Sequence, residues 1–365
     1  MRVALCSDYF YPKFGGITTH IEHLAKALEE NGYEVFIVTK KARFDDKGHG
    51  LNVIRVGSFF GTSNTLDVPR LEELRSVIEE IKPDIVHSHH AFSPISLFSL
   101  VVGKKLGMRT VLTNHSIQIM YEFEHLWRPS SYILFPYRQY INMADRIIAV
   151  SNAAAAFISH FTDKNASVIP NGVDLEAFAP AIKVFNGRNI LFVGRFSYRK
   201  GVHLLLEVMR RIVDDVTEAR LTIAGAGNSG GLLRGIIKAL DLQNNVVVEE
   251  NVSRARLIEL YRLADVFLMP SIFGEAFGIV LLEAMASKTP VVAIRQGGIG
   301  EVIKDGETGF LVNRYDVRGM AEKTRALLQN PELSERISAK AFEEAHKHDW
   351  EKVVKKIERE YLSLF

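Results

Sequence analysis

Ala264-Asp-Val-Phe-Leu-Met-Pro270-Ser271-Ile-Phe-Gly-Glu275-Ala-Phe-Gly278-Ile-Val-Leu-Leu-Glu283-Ala-Met285 is the stretch that decides the fold. Its first half is a short apolar run of buried-strand type, and its second half has helical spacing. A Gly-containing turn joins them. Strand, turn and helix start together make a corner whose free amides attract anions. Two carboxylates, Glu275 at the mouth and Glu283 two turns in, can accept hydrogen bonds from vicinal hydroxyls. On spacing alone an ordinary surface helix fits as well, and the neighbouring sequence decides between the two readings.

That neighbour is Ile190-Leu-Phe-Val-Gly194-Arg195-Phe-Ser-Tyr-Arg199-Lys200-Gly201. An apolar strand ends at Gly194, a cationic loop follows, and Val202-His-Leu-Leu-Leu-Glu-Val-Met returns to helical spacing. Arg195 and Lys200 then lie on a loop at the carboxyl end of a strand, where open α/β sheets bind ligands. Cations there suit a diphosphate. No Gly-Lys-Ser/Thr triplet is present, so this is not a Walker A loop.

Strand and helix signals alternate along the chain in two blocks. Strands are predicted near residues 3–6, 34–39, 52–56, 84–87, 110–113 and 146–150, then at 190–193, 221–224, 246–249, 266–269 and 291–294. Such alternation predicts α/β architecture with parallel sheets covered on both faces. Periodicity is lost over Phe178-Ala-Pro180-Ala-Ile-Lys-Val-Phe-Asn-Gly187, which reads as the linker. The expected division is 1–178, 188–345 and a terminal amphipathic helix within 346–365. A chain of 365 residues is long enough for about two domains. Its composition, 47% hydrophobic and 24% charged, supports ordinary cores. A net charge of +2 gives no electrostatic bid for nucleic acid. One cysteine, Cys6, excludes an intrachain disulfide framework and a Cys-based zinc site. The first residues read as a strand and not as a signal peptide. No apolar run reaches the ~18 residues of a membrane span, so a cytoplasmic protein is expected.

The loops carry a larger set of short motifs. They include Gly15-Gly16-Ile-x2-His20, Asp84-Ile-Val-His87-Ser-His89, Thr113-Asn-His115-Ser and Ile169-Pro-Asn171-Gly-Val-Asp174. Gly297-Gly-Ile-Gly-Glu301-Val follows the paired glutamates. In number, order and spacing this set resembles the retaining glycosyltransferases of family 4 over nearly the whole chain. The resemblance implies the GT-B fold, two Rossmann-like domains facing across a cleft, with the last helix returning to the N-terminal domain. It implies a nucleoside-diphosphate sugar as co-substrate, no cofactor and no bound metal.

Residue roles carried over from the family follow the motifs. Arg195 and Lys200 would stabilise the leaving diphosphate, Glu275 the sugar hydroxyls, and His115 would lie near the donor sugar. Gly15, Gly16, Gly194, Gly225 and Gly227 would let backbone approach the donor. Phe277, Gly278 and Ile279 would contribute at the helix start. Val252 would meet the base, and Glu283 the ribose. Tyr9, His20 and His89 would line the acceptor side. His87-Ser-His-His-Ala-Phe-Ser93 with Thr113-Asn-His-Ser116 is similar to enzymes that glycosylate phosphatidylinositol, which suggests an inositol lipid or other polar lipid as acceptor. Residues 119–138, rich in aromatics and arginines, could meet a membrane interface or simply pack on the first domain. The acidic helix signal over 71–80 departs from lipid-modifying relatives, so a soluble acceptor stays open, as does the donor base, uracil or guanine.

Two rival readings are weighed on the residues. Leu221-Thr-Ile-Ala-Gly225-Ala-Gly227-Asn-Ser-Gly230 satisfies the dinucleotide fingerprint on paper. It follows the second strand of its block, however, where the fingerprint normally opens a fold. The dense histidines His87, His89, His90 and His115 could hold a metal, but no Cys or acidic ligand is adjacent, and they are read as site or structural residues. A nucleotide-sugar epimerase or a disaccharide phosphorylase remains the alternative activity, because fold does not fix function.

Overall fold

The computed structural model describes residues 1–12, 15–42, 50–59, 67–117, 135–227 and 230–365. The segment 119–138 lies mostly outside the described residues. The chain divides into two compact units, Met1–Asn171 with Trp350–Phe365, and Gly172–Asp349.

The first unit is built on seven strands: β1 (Arg2–Cys6), β2 (Glu34–Lys40), β3 (Val53–Val56), β4 (Ile85–His89), β5 (Arg109–Asn114), β6 (Arg146–Ala149) and β7 (Ala166–Val168). Their spatial order is β3-β2-β1-β4-β5-β6-β7 and every pairing is parallel. The alternation of β1 shows why both faces must be covered. Val3 and Leu5 join one core layer with Ile21, Leu24 and Leu28 of the helix Gly16–Glu30. Val353, Val354, Ile357 and Tyr361 of the helix Trp350–Leu362 belong to the same layer. Ala4 and Cys6 face the opposite layer, against Leu74 and Ile78 of the helix Leu71–Ile81 and Ile95 of the helix Pro94–Lys105. Cys6 is a buried free thiol, and burial pushes it up to about 12.

The second unit has six parallel strands: β8 (Asn189–Arg195), β9 (Arg220–Ala226), β10 (Val246–Glu250), β11 (Val266–Met269), β12 (Val291–Ile294) and β13 (Phe310–Val312). Their order is β10-β9-β8-β11-β12-β13. Residues 178–187, read from sequence as a linker, fall inside this unit. Lys183 Nζ donates to the carbonyl of Ala264 at 2.6 Å and to Thr289 Oγ1 at 2.7 Å. Buried Asp265 accepts from the backbone amides of Asn186, Arg188 and Asn189. The stretch lacks periodicity because these polar groups, and not an apolar face, hold it in place. In both sheets the strand order reverses once, between β1 and β4 and between β8 and β11. Each reversal opens a crevice at the strands' carboxyl ends.

Candidate active site

At the second reversal, the loop after β8 (196–201) meets the loop after β11 (270–278). Ile272 N donates to the Arg199 carbonyl at 2.8 Å, which pins the loops together. The side chains follow. Lys200 Nζ contacts Glu275 Oε1, Arg199 Nη1 stands 3.5 Å from the same oxygen, and Ser271 Oγ lies 3.2 Å away. Glu275 is 7% exposed. Burial pushes its carboxyl up, but Lys200 and Arg199 outweigh burial and hold it below its ordinary range. Arg199 also donates to the Gly274 carbonyl at 3.1 Å. Gly201 permits the approach: its φ is +67°, and a Cβ there would sit 2.0 Å from the Pro270 carbonyl oxygen.

Arg195 ends β8 and is exposed, and its side chain makes no hydrogen bond or ion pair among the described residues. It is thus a free guanidinium beside the paired Lys200. Gly194 pairs with Gly225 across the β8–β9 ladder. A Cβ on Gly225 would fall 1.9 Å from the Gly194 carbonyl oxygen, and one on Gly227 would crowd Phe196. The glycine run therefore serves close strand packing as well as any ligand. Gly278 is the N-cap of the helix Ile279–Ala286, Phe277 is buried, and Ile279 is half-buried. Glu283, on that helix, is buried and accepts from Tyr261 Oη at 2.8 Å. Burial pushes its carboxyl above the ordinary range. Val252, expected at the end of a strand, stands two residues beyond β10 because Asn251 takes a left-handed conformation.

The first unit gathers its candidates at its own reversal. Tyr9 follows β1 and packs its ring 5.1 Å from that of His90. Gly15 caps the helix Gly16–Glu30, and both glycines are exposed, with nothing within 4 Å of a Cβ on Gly15. His20 from that helix, His89 from the end of β4 and His115 just after β5 come together. His89 Nδ1 is 3.2 Å from His115 Nε2, and the His20 ring centroid is 4.7 Å from that of His115. His87 stands apart in kind: Tyr361 Oη at 2.6 Å and Thr113 Oγ1 at 2.7 Å satisfy both its ring nitrogens. Burial, the leading cause in each, drives His20 and His90 down to about 4 and His87 to about 3, and takes His89 and His115 well below the usual range. All five are neutral imidazoles at neutral pH.

Several members of these sites escape sequence reasoning. Ser271 and Tyr261 are partners defined only by tertiary contact. Asp8 is buried in an ion pair with Lys40 at 2.7 Å and accepts from Ile95 N at the start of the helix Pro94–Lys105. A charged residue two positions after the apolar run of β1 was the available signal.

Residues 14–177 match the family described as Glycosyltransferase Family 4, and residues 176–344 that described as Glycosyl transferases group 1. A D-inositol 3-phosphate glycosyltransferase from Pseudarthrobacter chlorophenolicus is 31% identical, covering 90% of this chain and 87% of the relative. The chain belongs to glycosyltransferase family 4. A phosphatidyl-myo-inositol mannosyltransferase from Mycobacterium leprae is 28% identical across 99% of this chain and 96% of that one. The fold is GT-B: the crystal structure of Anabaena HepE in complex with UDP superposes with a TM-score of 0.79 at 20% identity, covering both chains completely. This glycosyltransferase has no helix among its described residues long and apolar enough to cross a membrane.

Proposed function

We propose that this glycosyltransferase moves a hexose or N-acetylhexosamine from a UDP- or GDP-linked sugar to an acceptor hydroxyl, with retention at the anomeric carbon. The observation that carries the donor side is the buried Glu275 gripped by Lys200 and Arg199 at the crevice beyond β8 and β11, with Arg195 unpaired beside it. In the reaction, the bond between the anomeric carbon and the diphosphate oxygen breaks. The acceptor oxygen bonds to that carbon on the same face, and its proton passes to the leaving phosphate. Arg195 and Lys200 stabilise the negative charge developing on the diphosphate, the largest expected catalytic contribution. Glu275 then holds sugar hydroxyls, and Glu283, neutral or charged, offers oxygens to the ribose. Retention through a carboxylate nucleophile would call for a second carboxylate about 5 Å from the first across the reacting carbon. Glu275 is instead engaged by two cations, which favours the front-face route.

In the first unit, Gly15 is unconstrained by packing, so its place at a helix start favours a backbone approach to the donor. Neutral His115 can hydrogen-bond sugar without adding charge. The two relatives act on inositol-bearing acceptors by name, which supports an inositol phosphate or inositol lipid here. A panel of UDP, GDP, ADP, their sugar conjugates and NAD tests the reading through thermal stabilisation. A selective shift with UDP or GDP and their sugars, followed by transfer to inositol phosphate or phosphatidylinositol, is the expected result. A shift with NAD alone would overturn it. Turnover of donor without acceptor would point to an epimerase, and phosphate-dependent turnover to a phosphorylase.

A further inference from the structure

The three histidines at the reversal of the first sheet have an unspent coordination capacity. Each of His20, His89 and His115 can offer one ring nitrogen such that the three lie within 4.8 Å of one another. Among the described residues this is the single group of three metal-ligating side chains so placed. His20 is 2% exposed, and neither of its ring nitrogens makes a well-formed hydrogen bond, although the Asn171 side chain interacts with it. His89 is fully buried, with Nε2 unpartnered as well. Unpaired buried polar atoms cost stability, and native folds keep few of them without a use. The neighbouring His87, by contrast, is fully satisfied by Tyr361 and Thr113.

The spacing is that of a coordination polyhedron already half closed. A tetrahedral Zn²⁺ with Zn–N bonds of ~2.0–2.1 Å sets its ligand nitrogens about 3.3 Å apart. His89 Nδ1 and His115 Nε2, which hydrogen-bond to each other, are 3.2 Å apart, so a cation would replace the shared proton. His20 completes the triangle by a side-chain shift of roughly 1–1.5 Å, given that edge. The Asn171 side chain interacts with His20, and a hydrogen bond from the second ring nitrogen to Asn171 Oδ1 would be the usual outer-shell support of a metal-bound imidazole. His115 is half-buried, which leaves a side open for access and for a fourth ligand. Three neutral imidazoles with an open position select first-row cations such as Zn²⁺, Co²⁺, Ni²⁺ and Cu²⁺ over Mg²⁺ and Ca²⁺. Sequence reading passed over this group because His20 comes from a helix far from the strand histidines in the chain.

We propose that His20, His89 and His115 form a three-imidazole site for a Zn²⁺-type cation. Occupancy withdraws His115 from the substrate, so the cation acts as an inhibitor of transfer and not as its cofactor. The inhibitory consequence rests on the proposed role of His115, whereas binding at the three imidazoles does not.

Co²⁺ titration of the tag-free, full-length protein reads the site directly, through the strong visible absorption of tetrahedral cobalt. The expected result is one Co²⁺ per chain, displaced by Zn²⁺ and indifferent to Mg²⁺. His20→Ala and His89→Ala should each weaken binding by at least the ~10–100-fold lost with an outer-shell partner, and Asn171→Ala by about 10-fold. His203→Ala, which alters an imidazole stacked on Tyr198 in the second unit, should leave binding unchanged. Weak octahedral absorption only, or equal binding in the cluster variants, would overturn the proposal. Should a cluster variant fail to fold, X-ray absorption on the Zn²⁺-loaded wild type decides: three imidazoles at ~2.0–2.1 Å support the site, and fewer refute it. A folded, Zn²⁺-loaded enzyme that transfers sugar at the full rate would keep the site and remove the inhibition.

Discussion

Lys200 and Glu283 answer different questions about the same corner. Lys200→Ala leaves Glu275 with Arg199 at 3.5 Å and Ser271 at 3.2 Å, so the buried carboxylate is not stranded and the fold should persist. Turnover should fall by about 10²–10³, the loss typical of one preorganised charge-stabilising group. Steady-state kinetics beside a circular dichroism control checks this, and an unchanged rate would remove Lys200 from the diphosphate. Glu283 carries a pH signature. Its folded carboxyl is raised by burial, so whatever stability it lends is present at acid pH and is lost as pH rises through the folded value. Glu283→Gln keeps an acceptor for Tyr261 Oη and removes the buried charge. The variant should therefore melt higher than wild type at pH 8, with the gain fading toward pH 4, while nucleotide-sugar affinity drops. Equal melting points across that range would show that the carboxyl is not strained by burial.

At the scale of elements, glycine has opposite meanings in two places. Gly201 turns the strand–loop of β8 into the helix Val202–Val213, with positive φ and the Pro270 carbonyl in its Cβ position. Gly201→Ala should destabilise the second unit by on the order of 2–4 kcal/mol and part the two loops that carry Lys200 and Glu275. Gly235, inside the helix Gly230–Ala239, has no atom within 4 Å of a Cβ. Gly235→Ala should stabilise by about 0.5–1 kcal/mol, because helix interiors penalise glycine entropically. Urea unfolding of both variants reads the contrast, and destabilisation by Gly235→Ala would mean that the helix needs glycine for something unseen. Elements of this kind were largely legible: apolar runs marked eleven of the strands, and the helix starts after Gly15, Gly201 and Gly278 followed their glycines. β7 and β13 were not, since three-residue strands at sheet edges have too few residues to show a period. The candidate site was legible as residue types on strand-end loops. It was not legible as pairs: Lys200 on Glu275, Tyr261 on Glu283 and His20 beside His115 arise from contacts between elements far apart in the chain.

At the scale of the molecule, the chain leaves its first unit at Asn171 and returns to it at Trp350. The returning helix supplies Trp350, Val353, Val354, Ile357 and Tyr361 to the same core layer as β1 and the helix Gly16–Glu30. Tyr361 also satisfies His87 Nδ1 from across that layer. Losing one large core side chain costs roughly 3–5 kcal/mol, and a domain's whole stability is about 5–15 kcal/mol. A chain stopped after Asp349 loses five such residues from one unit and none from the other. The first unit should therefore lose cooperative unfolding while the second keeps its own six-stranded sheet and core. Calorimetry on the truncated chain should show a single transition, and limited proteolysis should digest residues 1–171 while sparing 172–349. UDP or GDP should still raise the remaining transition, because the proposed diphosphate corner lies wholly within the second unit. If the truncated chain instead unfolds as one cooperative loss of both units, the second depends on the first for stability, and the donor corner is not a self-sufficient module.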